Sequence, residues 1–378
     1  MKVAIVHYWF ITRRGGEKVV DAILKEFPEA DIYTLFYDKE LYGNHLEGHK
    51  IYTSILDFPF LRKRYQKVFP LYPIGIRSLK LKEEYDLIIS SESGPAKGIS
   101  NKMGIPHVCY IHSPMRYCWG YTKEYLNSVN KFVRPVLAFF FERLRLWDES
   151  TINNVDLYIA NSDNVANRVS RFYKRKSKVI YPPISNYFFE KETVSKEKKE
   201  VYLSFGAITP YKRIDVLVDA FNLNGKTLII VGDGSEKKAL QKKAKNNIFF
   251  KGNLSWIEIE SIFSKTRALL FPGEEDFGMI PLEVMAYGIP VIAYKKGGAL
   301  ETVVEDKKNI SQSSGLFFKD QTVDSLNMAI EKFEQQENLF NPVWIKKHAE
   351  KYKEDVFIDS FRREIKHFIN EKANKKGT

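Results

Sequence analysis

Apolar positions fall into short runs separated by stretches of helical spacing, and the alternation repeats along most of the chain. Residues 3–7 form a buried-strand run. In residues 18–27 that follow, Val19, Val20, Ile23, Leu24 and Phe27 recur on one helical face. Residues 31–36, 85–90, 107–112 and 157–161 are further short apolar or β-branched runs. The last closes on Asn161-Ser162, a capping pair for a helix from Asp163 to about Tyr173. Strand–helix units in this succession place their strands in a parallel sheet with helices on both faces. The highly polar residues 191–200 interrupt the pattern as a linker or exposed loop would. It restarts at 201–205 and continues through 227–231, 248–251, 268–271 and 291–294. The last stretch is helical and strongly charged, with Val356, Phe357, Phe361 and Ile365 at helical spacing.

The expectation is an α/β chain of two doubly wound, Rossmann-like domains, residues 1–190 and 191–350, with residues 351–378 as a closing helix. A length of 378 residues fits two domains at ~150 residues each. The longest unbroken apolar stretch, residues 136–141, is far short of the ~20 residues a spanning helix needs. Met1-Lys2 leads directly into a strand run without the apolar region of a signal peptide. The two cysteines, Cys109 and Cys118, form neither a metal pattern nor a disulfide framework, so a cytoplasmic location is expected. The net charge of +12 is unevenly spread. Residues 1–183 hold 28 Lys and Arg against 19 Asp and Glu, and the remainder 31 against 28. Nucleic acid, an anionic membrane or phosphorylated small molecules would each suit that excess.

In doubly wound sheets ligands sit beyond the carboxyl ends of strands, where loops meet helix N-termini. Four such junctions carry chemistry. In Arg13-Arg14-Gly15-Gly16-Glu17, paired glycines let the backbone approach a ligand, although any tight strand–helix turn can use them. In Tyr110-Ile111-His112-Ser113-Pro114 a strand delivers an imidazole into a loop, either for function or for an ordinary strand-end hydrogen bond. In Gly206-Ala207 to Lys212-Arg213, adjacent cations suit a diphosphate, or a solvated turn. In residues 272–286, Glu274-Glu275-Asp276 ends an apolar strand, Phe277-Gly278 follows, and a helix begins near Ile280. Acidic residues at a helix start can simply suit its dipole. That explanation does not reach Glu283, which lies inside an otherwise apolar helix where an unpaired Glu is seldom buried.

These segments resemble, in order and over nearly the whole chain, the family 4 retaining glycosyltransferases of GT-B architecture, especially mannosyltransferase-like members of bacterial surface-polysaccharide synthesis. Glu275-Asp276-Phe277-Gly278 with Glu283 is similar to that family's Glu-x7-Glu signature. Gly297-Gly298-Ala299-Leu300-Glu301, Val231-Gly232-Asp233-Gly234, His112-Ser113-Pro114, Trp147-Asp148, Ala160-Asn161-Ser162 and Tyr181-Pro182-Pro183 match further elements. The resemblance implies two domains facing across a cleft, with Glu283 on the ribose hydroxyls and Glu275 on the donor sugar. It implies Phe277, Gly278 and Met279 at sugar hydroxyls, Lys212 on the diphosphate, and His112 on the sugar from the other domain. Gly15 and Gly16 would lie under the phosphates. Where the family often has Arg, this chain has Ala207, and Arg213 is the candidate replacement.

The implied donor is a nucleotide-sugar, GDP-mannose ahead of a UDP-sugar, with no other cofactor. No divalent metal is implied, and no Asp-x-Asp motif occurs to hold one. The implied acceptor is a glycan or a polyprenyl-diphosphate-linked sugar in polysaccharide, O-antigen or lipopolysaccharide synthesis. Residues 51–82 mix Phe58, Phe60, Tyr65, Phe69 and Tyr72 with Arg62, Lys63, Arg64 and Lys67, which suits peripheral attachment to an anionic inner-membrane face or a half-buried basic helix. A GT-B epimerase or phosphorylase would share the architecture. A nucleic-acid-binding protein would share the charge, but the ordered motifs leave it without a role.

Overall fold

The computed structural model describes residues 1–378 apart from 83, 128, 194–199, 377 and 378. The chain divides into two units, Met1–Pro183 with Asp355–Thr378, and Ile184–Glu354. The break thus falls before residue 184, earlier than residue 190, because Ile184 already bridges to Lys353 and Phe188 packs on Trp256 inside the second unit. Most of the polar stretch expected as a linker, residues 194–199, lies outside the described residues.

The first unit is built on a seven-stranded parallel sheet: β1 (Val3–Phe10), β2 (Asp31–Tyr37), β3 (Ile51–Thr53), β4 (Leu87–Glu92), β5 (His107–Ile111), β6 (Leu157–Ala160) and β7 (Ser177–Val179). Their spatial order is β3-β2-β1-β4-β5-β6-β7. Strand β1 is apolar nearly throughout because a central parallel strand is covered on both faces. Strand β4 begins apolar but ends Ser90-Ser91-Glu92, all fully buried. Three buried polar residues at a strand's carboxyl end require partners.

Helix Gly15–Glu26 covers one face of this sheet, and the C-terminal helix Glu354–Lys376 joins it there. Phe357, Phe361, Ile365 and Phe368 enter the same core as Val3, Ile5, Val19, Ile23 and Tyr110, while Val356 stays half exposed. Arg362 clasps Glu26, and Lys372 reaches Asp156 at the far end of the helix.

The second unit holds a six-stranded parallel sheet: β8 (Val201–Phe205), β9 (Leu228–Val231), β10 (Ile248–Gly252), β11 (Thr266–Phe271), β12 (Val291–Tyr294) and β13 (Gly315–Phe318), ordered β10-β9-β8-β11-β12-β13. Both sheets therefore reverse their strand order beside their first strand, at β1/β4 and at β8/β11. At such a switch point adjacent loops leave in opposite directions and open a crevice. Among the described residues no helix is long and apolar enough to cross a membrane.

Candidate active site

The second unit gathers its predicted residues at the β8/β11 switch point. After β8 the chain turns at Gly206, and the 3-10 turn Pro210–Lys212 carries Lys212 back over the sheet end. After β11, residues 272–278 lead to the helix Met279–Met285. The Lys212 ammonium pairs with the Glu275 carboxylate across this junction, and both side chains are largely shielded from solvent. Glu274 pairs instead with Lys296, at 3.0 Å.

Backbone packing fixes the acidic loop. Gly298 N–H donates to the Glu275 carbonyl at 2.9 Å. A Cβ on Gly298 would stand 2.2 Å from Phe277 Cα, so only glycine allows the β12 loop to lie against it. The Phe277 ring is buried and packs edge-on against Tyr352, whose hydroxyl donates to the Glu301 carbonyl. Gly278, at φ 89°, ends the loop in a left-handed conformation and delivers Met279, half buried, as the first residue of the helix. Glu283 lies within that helix at 4% exposure, the buried position that its apolar neighbours suggested.

Arg213 is placed differently from Lys212. Its guanidinium grips Asp215 with two nitrogens at 3.0 Å and reaches Gln321 Oε1 at 3.2 Å. Gln321 in turn donates to the Pro272 carbonyl at 2.8 Å. Arg213 thus ties the β8 and β11 loops together, with its charge committed to Asp215, while Ala207 is exposed and carries no cation. Lys212 is the cation facing Glu275.

In the first unit, Gly15 and Gly16 open the helix that follows β1. A Cβ on Gly16 would meet the Tyr8 hydroxyl at 2.6 Å and lie 3.6 Å from His112 Nε2, so the glycine turn and the predicted histidine share one place. His112 follows β5, its N–H donating to the Glu92 carbonyl at 2.8 Å and its Nε2 lying 2.8 Å from Ser91 Oγ.

Beneath this end of the sheet is a buried charge cluster that the sequence did not announce. Lys97 pairs with Asp148, and its Nζ lies 3.6 Å from Glu92 Oε1. Asp148 also accepts from Trp119 Nε1 at 2.7 Å and from the Tyr173 hydroxyl at 2.8 Å. Burial, with Asp148 adding to it, pushes the Glu92 carboxyl up to about 7 despite Lys97. Burial alone would lower the Lys97 ammonium, but the two carboxylates outweigh it and leave it raised. Burial likewise lowers His107 to about 4, against its bond to the Asn154 carbonyl. The residues involved are dispersed between positions 92 and 173, and among them only Asp148 belongs to a segment with a sequence match, Trp147-Asp148. Among the described residues no group of three or more His, Cys, Asp or Glu is arranged to hold a metal ion.

Known proteins place these features in context. Residues 13–186 match the family model described as Glycosyltransferase Family 4, and residues 186–354 match Glycosyl transferases group 1. An uncharacterised glycosyltransferase of Methanocaldococcus jannaschii is 26% identical over 318 residues, covering 81% of this chain and 82% of the relative. The O-antigen chain mannosyltransferase C of Escherichia coli is 22% identical over 300 residues, covering 74% and 73%. Among solved structures, Anabaena HepE in complex with UDP superposes with a TM-score of 0.68 at 19% identity, covering 97% of this chain and all of that one. That likeness shows the fold, the GT-B arrangement of two Rossmann-like domains.

Proposed function

Since the chain is a glycosyltransferase of the GT-B fold, we propose that it is a retaining, metal-independent hexosyltransferase of bacterial polysaccharide or O-antigen synthesis. Its donor is a nucleotide-sugar, GDP-mannose in first place, and its acceptor a glycan or polyprenyl-diphosphate-linked sugar. The observation that carries this reading is the pairing of Lys212 with Glu275 at the switch point of the second sheet.

Cleaving the bond between sugar and diphosphate puts negative charge on the departing oxygen and oxocarbenium character on the sugar. Lys212 answers the first charge and Glu275 the second. A diphosphate brought to Lys212 competes with Glu275 for the ammonium and frees the carboxylate to turn to the sugar. Lys212 thereby supplies positive charge of the kind a divalent ion provides in other phosphate sites, which supports a metal-independent transfer. Glu283 is assigned to the ribose hydroxyls, and the backbone N–H groups of Phe277, Gly278 and Met279 to the sugar hydroxyls. From the first unit, His112 is assigned to a sugar hydroxyl and the Gly15-Gly16 turn to the phosphate side. Retention follows if the acceptor hydroxyl attacks from the face the diphosphate leaves, giving its proton to the departing oxygen.

Mannose is favoured by the similarity to the O-antigen chain mannosyltransferase. A UDP-sugar is the second reading, because the superposing Anabaena structure was solved with UDP. Thermal unfolding across a nucleotide panel separates them. Selective stabilisation by GDP supports the first reading, stabilisation by UDP alone overturns it in favour of the second, and no shift with either removes Lys212 as a diphosphate site.

We also propose that the first unit rests on an anionic membrane, at the inner face of the plasma membrane, where a lipid-linked acceptor resides. Phe58, Phe60 and Ile74 are exposed there, and the surface extends beyond the segment expected from sequence. Phe69 packs on Phe140 and Phe141, joining it to the helix Arg134–Ser150. That helix exposes Val136 and Phe139 close to Phe132, which is 79% exposed. Lys63, Arg64, Lys67, Lys131 and Arg143 are exposed among these residues, a composition suited to an anionic interface. Flotation with phosphatidylglycerol-containing vesicles at low salt should carry the protein upward. Failure to float, or flotation unaffected by replacing Phe60 and Phe139 with Ser, would remove the idea.

A further inference from the structure

Two imidazoles in the first unit share one hydroxyl. His7 and Ser91 are register partners on the adjacent strands β1 and β4, and both side chains are fully buried. His7 Nδ1 lies 3.0 Å from Ser91 Oγ, and Ser91 Oγ lies 2.8 Å from His112 Nε2. On the far side of His7, Nε2 faces Glu17 Oε1 at 3.7 Å, both groups being buried. Among the described residues no hydrogen-bond partner reaches that nitrogen at normal distance. The other Glu17 oxygen accepts the Arg14 N–H at 3.0 Å, which fixes the carboxylate at the start of the helix.

A serine hydroxyl has one proton, so it can donate to only one of two imidazoles and must accept from the other. The line Glu17–His7–Ser91–His112 therefore has two polarities. If His7 carries its proton on Nε2, facing the carboxylate, then Nδ1 accepts from Ser91, and Ser91 accepts from an N–H on His112 Nε2. If His7 carries it on Nδ1, every bond reverses and a nitrogen lone pair is left facing a buried carboxylate. Lone pair against carboxylate in a low-dielectric interior is the costlier arrangement.

We propose that Glu17 and His7 are positioning residues that set the tautomer of His112, holding its proton on Nε2 and presenting Nδ1 as a hydrogen-bond acceptor. In the reading of His112 as a sugar contact, on which the functional part of this inference rests, Nδ1 then takes the hydrogen of a sugar hydroxyl and discriminates against a deoxy-sugar.

The test reads the tautomer directly. The chain has seven histidines, few enough for imidazole ¹⁵N–¹H correlation of [¹⁵N]histidine-labelled protein, with His112→Gln to assign the signal. The wild type should show His112 protonated on Nε2. In Glu17→Gln the amide oxygen still accepts the Arg14 N–H, which turns the amide NH₂ toward His7 Nε2. That should reverse the line and move the His112 proton to Nδ1. Transfer kcat/KM should fall about 10-fold or more, while binding of the nucleoside diphosphate alone stays unchanged. In a Ser91→Ala background, Glu17→Gln should no longer move the His112 signal.

A wild-type His112 protonated on Nδ1, as an imidazolium at His7 would impose, overturns the proposal. So does a His112 signal indifferent to residue 17, or one that still responds without Ser91. If the tautomer reverses as stated and transfer is unchanged, the relay stands and the assignment of His112 to the sugar falls instead. If Glu17→Gln does not fold, the Ser91→Ala variant alone decides, since it must change the His112 imidazole shifts.

Discussion

Replacing Glu275 by Gln removes one charge from the active site while leaving shape and hydrogen-bond capacity nearly intact. The side chains of Lys212 and Glu275 are 14% and 19% exposed, and Gln can still accept from the ammonium, so folding should cost no more than ~1 kcal/mol. The chemistry should suffer more. Unit charges ~4 Å apart at an effective dielectric near 20 interact by ~4 kcal/mol. A transition state carrying half a positive charge on the sugar would lose about half of that, and a fully developed one all of it. The expected fall in kcat is therefore roughly 30-fold to 10³-fold. Nucleotide binding should move the other way. With no carboxylate competing for Lys212, GDP should bind as tightly as to the wild type or up to about tenfold tighter. Initial rates with a labelled donor, calorimetric titration with GDP and thermal unfolding measure the three quantities separately. Turnover within threefold of the wild type would refute the role given to Glu275. So would a loss of GDP affinity that matches the loss of rate, because Glu275 would then be a binding group.

Three further outcomes are expected. Lys212→Met should weaken nucleoside diphosphate binding by roughly 10- to 100-fold, the worth of a charged hydrogen bond; Arg213→Ala should instead lower the melting temperature, since its partners are Asp215 and Gln321, and the same titration on both variants checks the division. Gly298→Ala sets a methyl against Phe277 Cα, a backbone atom that cannot step aside; a loss of ~1–3 kcal/mol in stability should appear in a thermal melt, with turnover reduced further. Burial raises the Glu92 carboxyl to about 7, so its contribution to stability is complete below about pH 4.5 and is lost as pH rises through 7. The stability of Glu92→Gln relative to the wild type should therefore climb by up to ~3 kcal/mol between those pH values in urea titrations, and a flat difference would contradict the raised pKa.

Much of the architecture was legible because it is periodic. Buried parallel strands read as apolar runs, and the helices between them show one apolar face, so ten of the thirteen strands among the described residues are legible, while β3, β7 and β13, of three or four residues each, are too short to stand out. The site was legible where residues sit close in sequence. Glu283 betrayed itself as a carboxylate in an apolar helix, and Gly278 and Met279 mark the entry to that helix. What escaped depends on distant residues meeting. Asp148 is marked only as part of the Trp147-Asp148 match and Lys97 by nothing, and only the fold brings them together in the interior. His7 read as the last residue of a strand run, and its pairing with Ser91 depends on which strand lies next to β1. Arg213 was expected beside Lys212 because the two are adjacent, but the left-handed backbone at Arg213 turns its side chain to Asp215. The apolar run at 136–141 carried an ambiguity of its own. Phe141 is buried and Val136, Phe139 and Phe140 are not, a division that sequence alone could not make.

The helix Glu354–Lys376 gives synthesis of this chain a direction. The core of the first unit contains Val3, Ile5 and Val19 from its beginning and Phe357, Phe361 and Ile365 from its other segment. A ribosome must therefore complete the whole of Ile184–Glu354 before the first unit can close. The second unit, contiguous in sequence, can fold as it emerges, whereas the first waits with one side of its sheet covered only in part, by the helix Gly15–Glu26. A nonsense codon or proteolytic cut shortly after residue 354 would remove no part of the Lys212–Glu275 pair. It would leave the apolar groove meant for this helix open to chaperones or to another chain, so that damage after residue 354 would be felt as misfolding of the unit that begins more than three hundred residues earlier.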